Sequence, residues 1–156
     1  MNNIQKEKKI GLALSGGGAR GIAHIGAIKA LREAGINIDF ISGTSAGSVI
    51  GALYASGHDT ESMMEFVRDS SIWKIFKPGL PTDGLITLGY LEERLKQFIP
   101  VSGFDQLIKP LFVSVSNLNS GHAEVVSDGP LFLPILCSCA IPLVFKPVKM
   151  NGALYV

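Results

Sequence analysis

Ser45 stands in Gly43-Thr44-Ser45-Ala46-Gly47, between the apolar run "FIS" and a stretch whose apolar residues recur at helical spacing up to Gly57. G-x-S-x-G between a strand and a helix is the local pattern of a nucleophilic serine. The sharp turn lifts Oγ clear of the sheet, and only small neighbours fit around it. The same small residues also permit ordinary close packing of a helix on a strand. A second stretch, Gly16-Gly17-Gly18-Ala19-Arg20-Gly21, follows the apolar run "KIGLAL". Its glycine amides carry no side chains to block a ligand. Each donor offered to a developing oxyanion is worth about 3 kcal/mol of barrier. Both motifs end adjacent strands, at the edge where open α/β sheets place their sites. Read together, they predict acyl transfer from an ester to Ser45, with Gly16, Gly17 and Gly18 supplying an oxyanion hole.

Other chemistries fit less well. Gly16 to Gly21 also satisfies G-x-G-x-x-G, a dinucleotide fingerprint that requires an acid at the end of the second strand. Asp39 lies at that strand's beginning, and Ile22 stands where a P-loop needs lysine. Ser45, Asp105 and His122 occur in the chain order of an α/β-hydrolase triad. That fold, however, places several strands before its elbow, and His122 sits beside a turn. Cys137 and Cys139 have no further cysteine to complete a zinc site, and His24, His58 and His122 are scattered. They read as buried thiols, and no metal or other cofactor is expected.

These residues need an α/β framework, and the pattern supplies one. With 156 residues and 47% hydrophobic content, the chain can build one core. A net charge of +1 gives no general attraction to nucleic acid. "KIGLAL" reads as a buried parallel strand. A helix from Ala19 to Ala34 carries Ile22, Ile25, Ile28 and Leu31 on one face. Gly21 and Gly26 allow it to lie close to the sheet, and Gly35 ends it. "FIS" is the second strand, followed by a helix from about Ser45 to Gly57. Asp59 caps a third helix running to about Ser71. After the loop "KPGLPTDG", Thr87 caps a helix bearing Leu88, Leu91, Leu95 and Phe98. "LFVSVSN" and "HAEVVS" form a hairpin. Pro130 starts a short helix, and "ALYV" begins a further strand. Strands alternating with helices predict an α/β layered domain with a largely parallel sheet. Residues 1–9 form a polar leader whose lysines, followed by "IGLAL", only faintly resemble a signal peptide. No segment reaches transmembrane length, so a soluble, cytoplasmic protein is expected.

"GLALSGGGARGIAHIGAIKALREAGI" and "DFISGTSAGSVIGALYASG" resemble the N-terminal half of patatin-like phospholipases, particularly short bacterial members. The glycine motif matches at Gly16, Gly17, Gly18, Arg20 and Gly21. The nucleophile motif matches at Gly43, Thr44, Ser45, Ala46 and Gly47. "SCAIPLVFKPV" resembles the family's Ser-x-x-x-Pro segment. The resemblance implies a three-layer α/β/α patatin-like domain over residues 10–156 that cleaves lipid carboxylic esters, as a phospholipase A or lysophospholipase does. It also implies a Ser–Asp dyad, in which burial raises the aspartate's pKa enough to take the serine proton. The family's aspartate follows a segment like "NGALYV". None of Asp39, Asp59, Asp69, Asp83, Asp105 or Asp128 occupies that place, so the acid is expected beyond Val156 in a longer polypeptide. The 156 residues alone are then expected to turn over negligibly. The alternative is a catalytically silent lipid- or acyl-binding module. "SIWKIFKPGLP", with Trp73, Ile75 and Phe76, is a candidate lid or lipid-docking edge for a protein peripheral to a membrane.

Overall fold

The computed structural model describes residues 8–68 and 88–156. Strands β1 (Gly11–Leu14), β2 (Phe40–Gly43) and β3 (Leu111–Ser116) run parallel, and β4 (Ala123–Val126) returns antiparallel beside β3. Their order is β1-β2-β3-β4. Helices α1 (Ala23–Glu33), α2 (Ala46–Ala55), α3 (Thr60–Arg68), α4 (Leu88–Phe98) and α5 (Phe132–Cys139) accompany them. Strands β5 (Val148–Met150) and β6 (Ala153–Tyr155) form a separate hairpin. This is the α/β domain with a largely parallel sheet that the alternation predicts.

Residue alternation sorts the two faces of the sheet. Ile41, Leu111, Val113 and Val115 are buried, while Phe40 and Val125 are exposed on the other side. Helix α2 lies on the buried face. A Cβ built on its Gly51 would come 3.1 Å from both Ile41 and Leu111 side chains. On the other face Phe40 and Phe112 meet edge to face, with ring centroids 6.3 Å apart.

Helix ends follow the sequence signals closely. Gly35 (φ 73°) and Gly57 (φ 98°) take the left-handed conformation after α1 and α2. In each case paired bonds close a Schellman motif: Ile36 N–H to Leu31 O with Gly35 N–H to Arg32 O, and His58 N–H to Leu53 O with Gly57 N–H to Tyr54 O. Asp59 caps α3 through Ser62 N–H, 2.8 Å away, and that bond holds its carboxyl below the usual pKa. Ser71, Thr87 and the intervening loop lie outside the described residues, as do Trp73, Ile75 and Phe76.

Several expectations need correction. Among the described residues only β2 pairs with β1, which leaves it at the edge of the sheet with Gly11 and Ala13 exposed. The first α-helix starts at Ala23, not Ala19. Gly18–Ile22 form a 3₁₀ turn instead, which the chain enters through the left-handed conformation of Gly18 (φ 55°). Ile22 consequently points outward while Ile25 and Ile28 are buried. Gly26 has open space around its Cβ position and permits no close contact. Helix α5 begins at Phe132 because Pro130 is held in an extended bridge to Gly103. Pro134 sits in its first turn, where a missing N–H costs no helical bond.

"ALYV" differs most. Asn151 (φ 50°) and Gly152 (φ 83°) form a two-residue turn between β5 and β6. Asn-Gly is the favoured pair for such a type I′ hairpin. Beyond β6, Ser116 and Val156 exchange hydrogen bonds of 2.8 and 3.0 Å. β6 therefore runs antiparallel to β3 and reaches its carboxyl end from outside the sheet.

Candidate active site

Ser45 joins β2 to α2 with φ 50° and ψ −123°, a strained conformation for a residue with a side chain. Contacts on every side hold it there. Thr44 N–H donates to Leu14 O (3.1 Å), fixing the turn to β1. Ser45 O accepts Ser48 N–H (2.8 Å) and Ser48 Oγ (2.7 Å). The elbow also demands small neighbours. A Cβ on Gly43 would lie 2.5 Å from Gly47 O, one on Gly47 would collide with Leu14 O, and one on Gly21 would lie 2.6 Å from Ala46 Cβ. Gly43 and Gly47 meet backbone and Gly21 meets a Cβ fixed to backbone, so none of these neighbours can yield.

Ser138 completes the cage from the far end of the chain. Ser45 N–H donates to Ser138 Oγ (2.8 Å), and that hydroxyl donates to Ser114 O (2.7 Å) on β3. Sequence reading assigns Ser138 no role. The available signals are the Ser-x-x-x-Pro segment that Ser138 opens and its place in α5, whose neighbours Ile135, Leu136, Cys137 and Cys139 are all buried. Ser138→Ala is expected to lower the rate of Ser45 acylation by about 10- to 100-fold, the worth of orphaning buried hydrogen-bond partners. KM for a soluble ester should stay near wild type, and Ser138→Thr should restore most of the rate. An equal fall in KM and kcat terms, or no fall, would remove Ser138 from the positioning of the nucleophile.

The glycine loop faces the same crevice. A Cβ on Gly16 would sit 3.4 Å from Ser45 Cβ, so glycine leaves the space beside the nucleophile open. Among the described residues, no acceptor takes the amides of Gly16, Gly17 or Gly18. Arg20 N–H closes the turn on Gly17 O (3.1 Å), with the Arg20 side chain exposed. His24 Nε2 donates to Ser15 O (2.8 Å), tying the loop to α1. This anchoring role of His24 is invisible to a search for metal or catalytic histidines.

Cys139 is buried beneath the elbow, against the Ser45 and Ser48 hydroxyls. Burial pushes its thiol up to about 12 and that of Cys137 to about 11. Both stay protonated near neutrality, so neither acts as base. No group of residues able to hold a metal occurs among the described residues.

The topology separates the aspartates from Ser45. Asp39 precedes β2, Asp105 precedes β3, Asp59 follows α2, and Asp128 follows the antiparallel β4. All four therefore lie at the amino edge of the parallel strands. Asp69 and Asp83 lie outside the described residues. His122 is exposed at the start of β4, across β3 from β2. Glu124 has both oxygens engaged, by Asn117 Nδ2 (2.8 Å) and the Tyr155 hydroxyl (3.0 Å). That contact raises the Tyr155 pKa and fastens β6. The described residues thus assemble a strained serine and open amide donors, without a carboxylate or imidazole beside the serine.

A family model described as patatin-like phospholipase matches residues 12–156. The chain belongs to the patatin-like phospholipase family. Among similar proteins is an uncharacterized NTE family protein of Mycobacterium tuberculosis, 32% identical over 148 residues, covering 94% of this chain and 41% of that protein. Another is lysophospholipase NTE1 of Yarrowia lipolytica, 33% identical over 157 residues, covering 97% of this chain and 11% of that protein. The chain thus spans less than half the length of either relative. Of solved structures, VipD from Legionella pneumophila superposes with a TM-score of 0.65 at 20% identity, over 94% of this chain and 45% of that one. The type III effector ExoU superposes with a TM-score of 0.58 at 20% identity, over 86% and 40%. These patatin-like neighbours place the fold in the α/β/α class, with the described residues contributing the sheet and helices on one face.

Proposed function

We propose that this patatin-like domain is a serine acyl hydrolase of lipid carboxylic esters, of phospholipase A or lysophospholipase type. The strained Ser45 facing an unobstructed Gly16 carries the reading. Ser45 Oγ adds to the ester carbonyl, and its proton passes to a carboxylate base. The amides of Gly16, Gly17 and Gly18 receive the oxyanion, in a loop that matches the family motif through Arg20 and Gly21. The carbon–oxygen bond to the leaving alcohol then breaks and the alcohol takes the proton. Water, deprotonated by the same carboxylate, releases the fatty acid and restores Ser45. Lipid or acyl-ester substrate is the partner, and no cofactor takes part.

The base we assign is an aspartate placed just past Val156, forming a Ser–Asp dyad. The register supports this. Val156 pairs with Ser116, so a continuing strand would reach Ser114 two residues later. Ser114 O binds the Ser138 hydroxyl that holds Ser45 N–H. A residue following Val156 would therefore arrive close to the level of the nucleophile.

A silent lipid- or acyl-binding module is the second reading, favoured by the lack of a base beside Ser45 among the described residues. A fluorophosphonate probe separates the two. We expect it to label Ser45, with mass spectrometry locating the adduct there. Absence of labelling, both in this chain and in one extended past Val156 by Asp-Gly, would leave the binding module.

A further inference from the structure

We propose that the sheet edge carrying Ser45 docks directly on a phospholipid surface through the loop after α5. The inference rests on the lipid-ester reading above and names the surface this edge meets. Leu143 is fully exposed and has φ 68°, a conformation that bulky residues rarely adopt. Bonds from Val144 N–H (3.1 Å) and Phe145 N–H (2.9 Å) to Ile141 O fix the turn. Phe145 packs on the core, while Ile141, Leu143 and Val144 project outward. The fold therefore holds a leucine in a strained turn whose side chain touches nothing of the protein.

Position gives that projection its meaning. The loop follows Ser138 and Cys139, both in contact with the elbow. Ile22, exposed at 40%, extends the apolar rim from the glycine loop on the same edge. Charge agrees with position. Arg20 and Lys146 are exposed at this edge, where Glu124 is held by Asn117 and Tyr155, whereas at the opposite edge Asp39, Asp59, Asp105 and Asp128 are mixed with Lys8, Lys9, Arg32 and Lys109. Aliphatic side chains flanked by cations suit the boundary between acyl chains and anionic headgroups. Among the described residues no helix is long and apolar enough to cross a membrane.

Flotation with vesicles of mixed phosphatidylcholine and phosphatidylglycerol tests this, using Ser45→Ala protein so that lipid is not consumed. Adding Leu143→Asp and Val144→Asp should weaken binding about tenfold or more, since two aliphatic anchors are lost and two anions gained. Ile108→Asp, at the opposite edge and 73% exposed, should leave binding unchanged. Leu143→Ser alone serves as a milder probe if the double change lowers the melting temperature. Unweakened binding by the folded loop variants, or equal weakening by Ile108→Asp, overturns the proposal. Hydrolysis of a soluble short-chain ester is read separately in protein retaining Ser45 and extended past Val156 by Asp-Gly. The loop variants should keep that rate, and Ser45→Ala should lose it. Full turnover by Ser45→Ala would overturn the hydrolase reading instead, whatever the vesicles show.

Discussion

In protein extended past Val156 by Asp-Gly, Ser45→Ala is expected to abolish ester hydrolysis, a loss of about 10⁴-fold or more, the scale seen when a catalytic serine is removed. The fold should survive. The two bonds that tie Ser45 to α5 and α2 come from its backbone, its N–H to Ser138 and its carbonyl to Ser48, and its hydroxyl adds only a contact with the buried Cys139 thiol. Alanine keeps both and meets the limit on size set by Gly43, Gly47 and Gly21. Its thermal midpoint should therefore stay within a few degrees of the parent, as for a substitution that makes no large cavity. Measuring turnover on a soluble ester beside a melting curve separates lost chemistry from lost structure. A folded variant that hydrolyses at the parental rate would move the nucleophile elsewhere.

The second large effect concerns the base. With Asp-Gly following Val156, turnover should exceed that of the otherwise identical Asn-Gly protein by about 10⁴-fold, the scale for losing the acid of a catalytic serine assembly. Asparagine preserves size and hydrogen bonding but cannot accept the serine proton. The two proteins should melt alike and differ in acylation of Ser45 by substrate. Equal turnover would disprove the dyad and direct attention to His122 or an aspartate outside the described residues.

The elbow is legible in sequence because its requirements are local. Gly43, Gly47 and Gly21 are small for reasons of backbone contact, and strand and helix patterns bracket them. The Schellman ends at Gly35 and Gly57 and the Asp59 cap are equally local. What escapes is long-range or directional. Ser138 opens a recognisable Ser-x-x-x-Pro segment, but nothing in that segment says that its hydroxyl meets an amide 93 positions earlier. The triple glycine is visible, but which of the three faces Ser45 depends on the 3₁₀ turn that Gly18 introduces. The β5–β6 hairpin did carry a signal. Asn151-Gly152 is a turn pair, and reading it as one gives β6 its direction, antiparallel to β5.

The bond between Ser45 and Ser138 also makes the site a late product of folding. Forming it closes a large loop and requires α5 to dock on β3 and α2, so it belongs to the non-local contacts that slow folding. A chain that has completed only β1, α1, β2 and α2 owns both glycine motifs but no cage for the strained serine. Opening of the last turn of α5 alone would release the Ser45 amide while leaving the first half of the sheet paired. Covalent labelling of Ser45 during refolding therefore times the docking of α5, and labelling of the native protein counts the molecules in which that helix is seated.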